Sequence, residues 1–169
     1  MLFIRRFIIV KHLFAIVVVV LGVFMMGSCQ EPEKTKLTEA QITNIKAEVK
    51  QAAIDHLNAK DAVTALNNYT EDVLAASNEK LYSSPNVLAE DIKAYYSILK
   101  YVDFAAWDDV HINVLDANTA LFTAKFRYCF TSTNNEKHAL QGVWTALFVR
   151  RNGNWKIRLR HESFVPLDE

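Results

Sequence analysis

The stretch Thr119-Ala-Leu-Phe-Thr-Ala-Lys-Phe-Arg-Tyr-Cys-Phe-Thr131 alternates between two kinds of side chain. Successive side chains of an extended strand point to opposite faces, so this pattern places the aromatic residues on one face and the charged residues on the other. We therefore predict a β-strand whose aromatic face packs against the interior of a domain. That face consists of Phe122, Ala124, Phe126, Tyr128 and Phe130.

The chain keeps this period of two beyond Tyr101 and is divided by turn signals. The segments 116–118, 133–135 and 152–154 are rich in Asn, Asp and Gly, which favour turns. They separate predicted strands at 108–115, 119–131, 139–150 and 155–164. Consecutive strands joined by short turns form an antiparallel meander.

The last two predicted strands differ in how they distribute their apolar residues. In the last strand the odd-numbered residues from Trp155 to Ser163, His161 among them, are in phase and are predicted to point inward. The strand 139–150 is apolar on both faces, with Val143 on one side and Trp144 on the other. A strand of that kind predicts a cover over the outer face of the sheet, most simply a second copy of the protein in a homodimer.

Upstream of the strands the apolar residues follow a helical period. From Thr38, which with Gln41 matches a capping box, apolar positions recur every three or four residues and place His56 near the middle of the apolar stripe. A second, short helix is predicted from Asp61 towards Tyr69, followed by the apolar run 73–76. A third follows the segment 83–86. The fold class is α+β, with three N-terminal helices packed on one face of the sheet.

Two segments of the chain resemble the nuclear-transport-factor-2-like superfamily in its SnoaL-like branch. The first is Leu57-Asn-Ala-Lys-Asp61 with Tyr69-Thr-Glu-Asp-Val73, and the second is the closing Gly153-Asn-Trp-Lys-Ile-Arg-Leu-Arg-His-Glu-Ser163. The resemblance implies a cone-shaped, cystatin-like roll, in which a curved antiparallel sheet and the helices enclose a pocket. Its members include isomerases, dehydratases, hydrolases and binding or dimerisation modules, and fold alone does not decide among them.

The resemblance also allows one activity to be tested residue by residue. Steroid isomerases of this superfamily place a tyrosine on the first helix and an aspartate base on the first strand. The corresponding positions here are Ala53 and Ser77, which can act neither as oxyanion donor nor as base in that chemistry. We therefore exclude steroid-isomerase activity.

Seven residues are candidates for the lining of the pocket. His56 and His161 both point inward by periodicity and are candidates for a general acid and base, although each is more simply explained as a structural, hydrogen-bonded histidine. The other candidates offer aromatic walls and hydroxyl groups, or simply core packing. The seven are His56, Tyr69, Tyr95, Tyr128, Trp144, His161 and Ser163.

Three functions remain open at this point. The first is a binding module with a pocket for a small apolar or amphipathic ligand, or with a surface for a protein partner. The second is a dehydratase, isomerase or hydrolase that uses His161 and His56, and the third is a structural dimerisation domain. Neither a metal nor another cofactor is expected, because metal-ligand spacing and a glycine-rich phosphate loop are both missing.

The N-terminus indicates where the protein acts. Residues 1–28 combine Arg5, Arg6 and Lys11 with a charge-free apolar run from Leu13 to Met26 and are interpreted as a signal peptide. Gly27-Ser28-Cys29 resembles a bacterial lipobox, which implies lipidation of Cys29, a tether at 29–37 and a domain at 38–169. The protein is thus expected in the bacterial cell envelope, anchored to a membrane without crossing it and facing the periplasm or the exterior.

The charge of the mature chain excludes one class of partner. Removal of the three basic residues of the signal peptide from the 19 in the chain, against 19 acidic ones, leaves a net charge of −3. Nucleic-acid-binding domains carry basic patches that neutralise phosphates. A nucleic-acid partner is therefore not expected.

Overall fold

The computed structural model describes residues 36–167, which form three helices and six strands within that range. The predicted signal peptide, Cys29 and most of the tether lie outside the described residues. The helices are α1 (Glu39–Leu57), α2 (Ala62–Leu66) and α3 (Pro85–Ile98). The strands are β1 (Tyr69–Ser77), β2 (Lys80–Tyr82), β3 (Leu99–Asp116), β4 (Thr119–Ser132), β5 (Lys137–Arg151) and β6 (Asn154–Pro166).

The six strands form one curved, open sheet in the order β2-β1-β6-β5-β4-β3. The four long strands pair antiparallel in sequence, which confirms the predicted meander. β1 departs from that prediction, because it pairs in parallel with β6, while β2 pairs antiparallel with β1. β3 starts at Leu99 rather than near residue 108, and most residues in its first half are exposed on both sides. The alternation that reveals a half-buried strand is therefore missing there.

The helix starts follow the predicted capping chemistry. Thr38 and Gln41 form a complete capping box at α1, and Asp61 Oδ1 accepts the Thr64 backbone N–H at 2.7 Å to begin α2. Ser84 caps α3, whose first residue is Pro85. The class α+β is confirmed, but α3 lies between β2 and β3 in the chain and does not precede the sheet.

The inner face of the sheet packs against the helices in a core of aromatic and aliphatic residues. Phe122, Phe148, Ile157 and Val49 are fully buried. Phe126 and Phe130 are also buried, so the predicted inward direction of the aromatic face of β4 is confirmed. In residues 36–167 none of the helices combines the length and apolarity required to cross a bilayer.

One irregularity in β6 decides which of its side chains face the core. Phe148 pairs with Ile157 and Leu147 pairs with Leu159, so Arg158 is left over as a β-bulge. An extra residue in one strand reverses the side-chain phase beyond it. Ile157 is therefore buried on the inner face, and beyond the bulge the next buried residue is Arg160, which is 8% exposed.

Candidate functional site

A cavity of about 280 Å³ lies between α1, α3 and the inner face of the sheet. This volume is close to the lower end of the ~300–1,000 Å³ typical of small-molecule sites. Most of its wall is aromatic or aliphatic, and the charged and hydrogen-bonding groups gather near β1 and β6. The apolar wall includes Trp107, Phe126, Leu140, Trp144 and Phe164.

The indole rings of the apolar wall are held in fixed orientations. Trp107 Nε1 donates to the Ala53 carbonyl of α1 at 3.0 Å, and its ring centroid lies 5.1 Å from that of Trp144. Trp144 in turn stacks on the imidazole of His56 with centroids 5.6 Å apart. These contacts orient both indole rings without any help from a ligand.

The hydrogen-bonding groups that line the other side form a chain of four residues, His56, Tyr69, Arg160 and Glu162, which we call the polar corner. His56 Nε2 lies 3.3 Å from Tyr69 Oη, and Arg160 Nη1 lies 3.1 Å from the same oxygen. Arg160 Nη2 is 3.3 Å from Glu162 Oε1. Helix α1 supplies the histidine, β1 the tyrosine, and β6 the arginine and glutamate beyond the bulge.

The chemistry of arginine fixes one hydrogen-bond direction in the polar corner. A guanidinium group can only donate, so Tyr69 Oη accepts from Arg160 Nη1, while the direction of the bond between Tyr69 Oη and His56 Nε2 depends on the imidazole tautomer. His56 Nδ1 is buried and has no hydrogen-bond partner among residues 36–167. Burial, helped by the charge of Arg160, lowers the pKa of His56 to about 3. The imidazole is therefore neutral at physiological pH.

Arg160 is charged although it is buried. Burial alone lowers its pKa, but Tyr69 and Glu162 outweigh that effect and hold the pKa above its ordinary value. The guanidinium also lies 5.9 Å from the ring centroid of Tyr69 and 5.6 Å from that of Tyr82. Its Nε is buried and unpaired within the described range.

Two further hydroxyl pairs complete the lining. Tyr82 Oη donates to Asp91 Oδ2 at 2.8 Å, and burial together with this bond raises the pKa of Tyr82 to about 12. Tyr95 Oη donates to Tyr128 Oη at 2.8 Å. All four residues line the cavity, so its polar groups are mostly engaged with one another.

The comparisons with known proteins agree with this architecture. The family described as SnoaL-like domain matches residues 47–168, which is most of the chain. This chain belongs to the SnoaL-like family. No curated protein sequence matches it.

Solved structures similar to this SnoaL-like chain include enzymes by name. A protein from Novosphingobium aromaticivorans that carries the name scytalone dehydratase has a TM-score of 0.69 at 10% identity, over 78% of this chain and 93% of that one. The hexachlorocyclohexane dehydrochlorinase LinA-type3 from Novosphingobium barchaimii has a TM-score of 0.61 at 14% identity, over 77% and 94%. A conserved protein from Planctomyces limnophilus has a TM-score of 0.63 at 14% identity, over 74% and 99%. At these identities the likeness shows the fold alone.

The structure of the SnoaL-like domain brings five of the seven predicted pocket residues together. His56, Tyr69, Tyr95, Tyr128 and Trp144 all line the cavity. His161 and Ser163 are exposed and pair with Thr145 and Val143 on the outer side of the sheet. Their predicted place in the pocket is wrong because the bulge at Arg158 reverses the phase of β6. The predicted acid–base pair of His56 and His161 is wrong for the same reason.

The prediction also missed the residues that this reversal brings inward. Arg160, Glu162 and Phe164 line the cavity, whereas the sequence pattern assigned the first two to an outer charged face. One signal was present, because Phe164 is a large apolar residue out of phase with Ile157. An aromatic residue that is out of phase with the buried residues of its strand indicates a bulge between the two positions.

In residues 36–167 no group of three or more His, Cys, Asp or Glu side chains is placed to hold a metal ion.

Proposed function

We propose that this SnoaL-like domain is a binding module for a small amphipathic molecule. The observation that carries the proposal is the cavity of about 280 Å³, in which the apolar wall faces the polar corner. Ligand sites combine extensive apolar contact with a few fixed polar groups that orient the ligand. The apolar wall supplies the apolar contact, and the polar corner supplies the groups that orient the ligand.

The energetic cost of the polar corner supports a role in recognition. A buried arginine–glutamate pair gains little or no stability over well-packed apolar residues of similar size, because both charges lose their hydration. Arg160 and Glu162 face an otherwise aromatic cavity and depend on Tyr69 and on each other to be satisfied. Recognition of a ligand therefore explains the burial of this pair better than a contribution to folding stability does.

The other two functions considered from the sequence have weaker support. Enzymatic acid–base chemistry by His56 and His161 lacks its second member, and a histidine with a pKa of about 3 does not take up a proton near neutral pH. The names of similar structures include a dehydratase and a dehydrochlorinase, but the likeness to them is one of fold. A purely structural dimerisation domain would be expected to fill its cone, whereas this one keeps a cavity.

The proposal is tested by tryptophan fluorescence of the purified domain. Two of the three tryptophans, Trp107 and Trp144, line the cavity, while Trp155 lies outside it. Titration with aromatic fragments is expected to change the emission of the wild type. Ser77→Phe, which projects a ring into the cavity, is expected to weaken that response at least tenfold in Kd, and Ser97→Phe on an exposed turn of α3 serves as the control.

Mass spectrometry of molecules that copurify with the domain gives an independent measurement. We expect a small organic compound in the wild type that is depleted in Ser77→Phe. If no compound copurifies and no fragment changes the tryptophan emission at millimolar concentration, the binding function is wrong.

We further propose that Cys29 anchors the domain by lipid to the bacterial cell envelope. The support is the charge-free run that ends in Gly27-Ser28-Cys29 and the polar segment that follows. Cys29→Ala is expected to abolish incorporation of labelled fatty acid and to leave a precursor of higher mass. Lipid label on the alanine variant would contradict the assignment.

A further inference from the structure

We infer that the ligand of the cavity is an uncharged molecule that presents a hydrogen-bond donor to the carboxylate of Glu162. This inference rests on the proposed binding function and specifies its ligand class. It follows from the balance of charges in the cavity and from the unpaired oxygen of Glu162 in the polar corner.

The charges along the cavity cancel in pairs. Arg160 is balanced by Glu162, whose carboxylate lies 3.3 Å from the guanidinium. Asp91 is balanced by Lys80, with which it forms an ion pair at the surface. His56 is neutral and forms a hydrogen bond with Tyr69. A ligand therefore meets no uncompensated charge on this side of the cavity.

The guanidinium of Arg160 is held by partners within the protein. Its Nη1 donates to Tyr69 Oη, its Nη2 faces Glu162, and the neighbouring Tyr82 donates to Asp91. Arg160 Nε and His56 Nδ1 are buried without a partner among the described residues. The positive charge of the polar corner is therefore already paired with Glu162.

One acceptor remains free. Glu162 lines the cavity, its side chain is 19% exposed, and only its Oε1 faces the guanidinium. Its second oxygen has no hydrogen-bond partner within residues 36–167. A ligand that brings a hydroxyl or amide N–H to this oxygen completes the corner, and hydrogen bonds to a charged acceptor are among the stronger ones.

Both anionic and cationic ligands are disfavoured. A carboxylate would lie near the Glu162 carboxylate, and the Arg160 guanidinium is already paired with that group. An ammonium group attracts Glu162 but lies beside the Arg160 guanidinium, whose charge Glu162 already neutralises. Removing any ion from water without a new counter-charge is costly. A cation gains some cation–π attraction from the rings of the apolar wall, so the test below includes ammonium compounds.

Tyr128 also lines the cavity and accepts from Tyr95, so its own proton is available to a ligand. A carbonyl or ether oxygen of the ligand can accept that proton. The complementary ligand is therefore a neutral molecule that carries a donor for Glu162 and, in addition, an acceptor for Tyr128.

The experiment uses matched sets of fragments on phenyl, biphenyl and fused bicyclic scaffolds. Each scaffold carries a hydroxymethyl, a carboxylate or an ammoniomethyl group, and binding to the full domain is followed by tryptophan emission and calorimetry. The alcohol is expected to bind at least about tenfold more tightly than either charged partner of the same scaffold. If a carboxylate or an ammonium compound binds most tightly, the inference is overturned while the binding function stands. If no fragment of any class binds, the binding function itself fails.

Glu162→Gln adds an independent test. The glutamine keeps the shape of the side chain but removes its charge, so that Arg160 becomes the uncompensated charge of the cavity. We expect the variant to lose about tenfold in affinity for the alcohols and to gain affinity for the carboxylates. Glu71→Gln, an exposed position in β1, is the matched control and should preserve the wild-type order. An unchanged preference in a folded Glu162→Gln domain would contradict the role of Glu162. If that variant does not fold, the order of fragment affinities measured on the wild-type domain tests the inference instead.

Discussion

Tyr69 is the residue that connects the parts of the polar corner. Its hydroxyl accepts from Arg160 and is hydrogen-bonded to His56 Nε2, so one oxygen holds a guanidinium from β6 and an imidazole from α1 at the same point. Burial raises the pKa of Tyr69, which keeps this proton on the hydroxyl. The sequence placed Tyr69 in the pocket, but its two partners are set by side-chain directions that no periodicity along the chain reveals.

A pH dependence of stability follows from the neutral state of His56. Its pKa falls from 6.5 to about 3 on folding, so below pH 6.5 the unfolded chain binds a proton that the folded domain does not. The free energy of unfolding therefore decreases as the pH falls from 6.5 towards about 3, by up to about 1.4 kcal/mol per pH unit from this group. Above pH 6.5 His56 is neutral in both states, and the domain keeps its full stability with respect to this group. His56→Gln should remove that slope. Urea unfolding of both proteins between about pH 7 and pH 4 measures the difference.

The comparison has its own control, because carboxylates give both proteins the same acid dependence and cancel in the difference. His111→Gln, at an exposed position in β3, should retain the wild-type slope. Parallel profiles for the wild type and His56→Gln would mean that His56 is protonated in the folded domain.

At the scale of the element, the strands and helix caps were predictable and the phase of β6 was not. The alternation in β4 and the caps at Thr38 and Asp61 are local, since each depends on residues next to one another in the chain. The bulge at Arg158 depends on how β6 meets β5, and both possible phases beyond Ile157 contain apolar and polar residues. The parallel pairing of β1 is likewise a tertiary choice, made between strands far apart in sequence.

Gly142 of β5 is required where the two strands come closest. A Cβ there would lie 2.1 Å from the backbone oxygen of Ser163 and 2.8 Å from Cα of Phe164, so an alanine forces β5 and β6 apart. We expect Gly142→Ala to lower the free energy of unfolding by about 3 kcal/mol or more, at or above the upper end for overpacking. It should also impair ligand binding, because Phe164 lines the cavity. Urea unfolding and fragment titration measure the two effects.

Gly153 provides the matched comparison. It adopts φ +81° in the turn between β5 and β6 and has no atom within 4 Å of an added Cβ, so alanine there costs only the backbone strain, roughly 1 kcal/mol. Equal losses at the two glycines would contradict the close approach at Gly142.

At the scale of the whole molecule, the two faces of the sheet have separate roles. The inner face and the helices enclose the cavity, while the outer face presents apolar side chains from three adjacent strands to solvent. Val143 is 43% exposed and Leu159 37% exposed on this face, with Leu74 of β1 beside Leu159. Leu74, Leu159 and Leu147 adjoin one another, whereas Val143 lies beyond Thr145 and His161. These exposed apolar side chains support our proposal that the domain forms a homodimer through the outer face.

Charge placed in the centre of that face should prevent assembly. The wild-type domain without its lipid is expected to be a dimer at micromolar concentration, with roughly 1,200–2,000 Å² buried in a specific interface. Leu159→Asp should yield a folded monomer, because it would bury an unpaired carboxylate in the interface. Val63→Asp, at an exposed apolar position of α2, is the control and should leave the dimer intact. Light scattering measures the molar mass of each protein in solution. A monomeric wild type would rule out the homodimer.

The single extra residue at Arg158 also affects how relatives of this domain should be aligned. Without Arg158, Ile157 and Leu159 would be consecutive and would pair with Phe148 and Leu147 in a regular ladder, so that Arg160 and Glu162 would keep their places in the cavity. The two charged residues would then follow Ile157 at even spacings in the chain, whereas the bulge places them at odd spacings here. Relatives of this domain are therefore best compared by the length of their last strand before their residues are aligned.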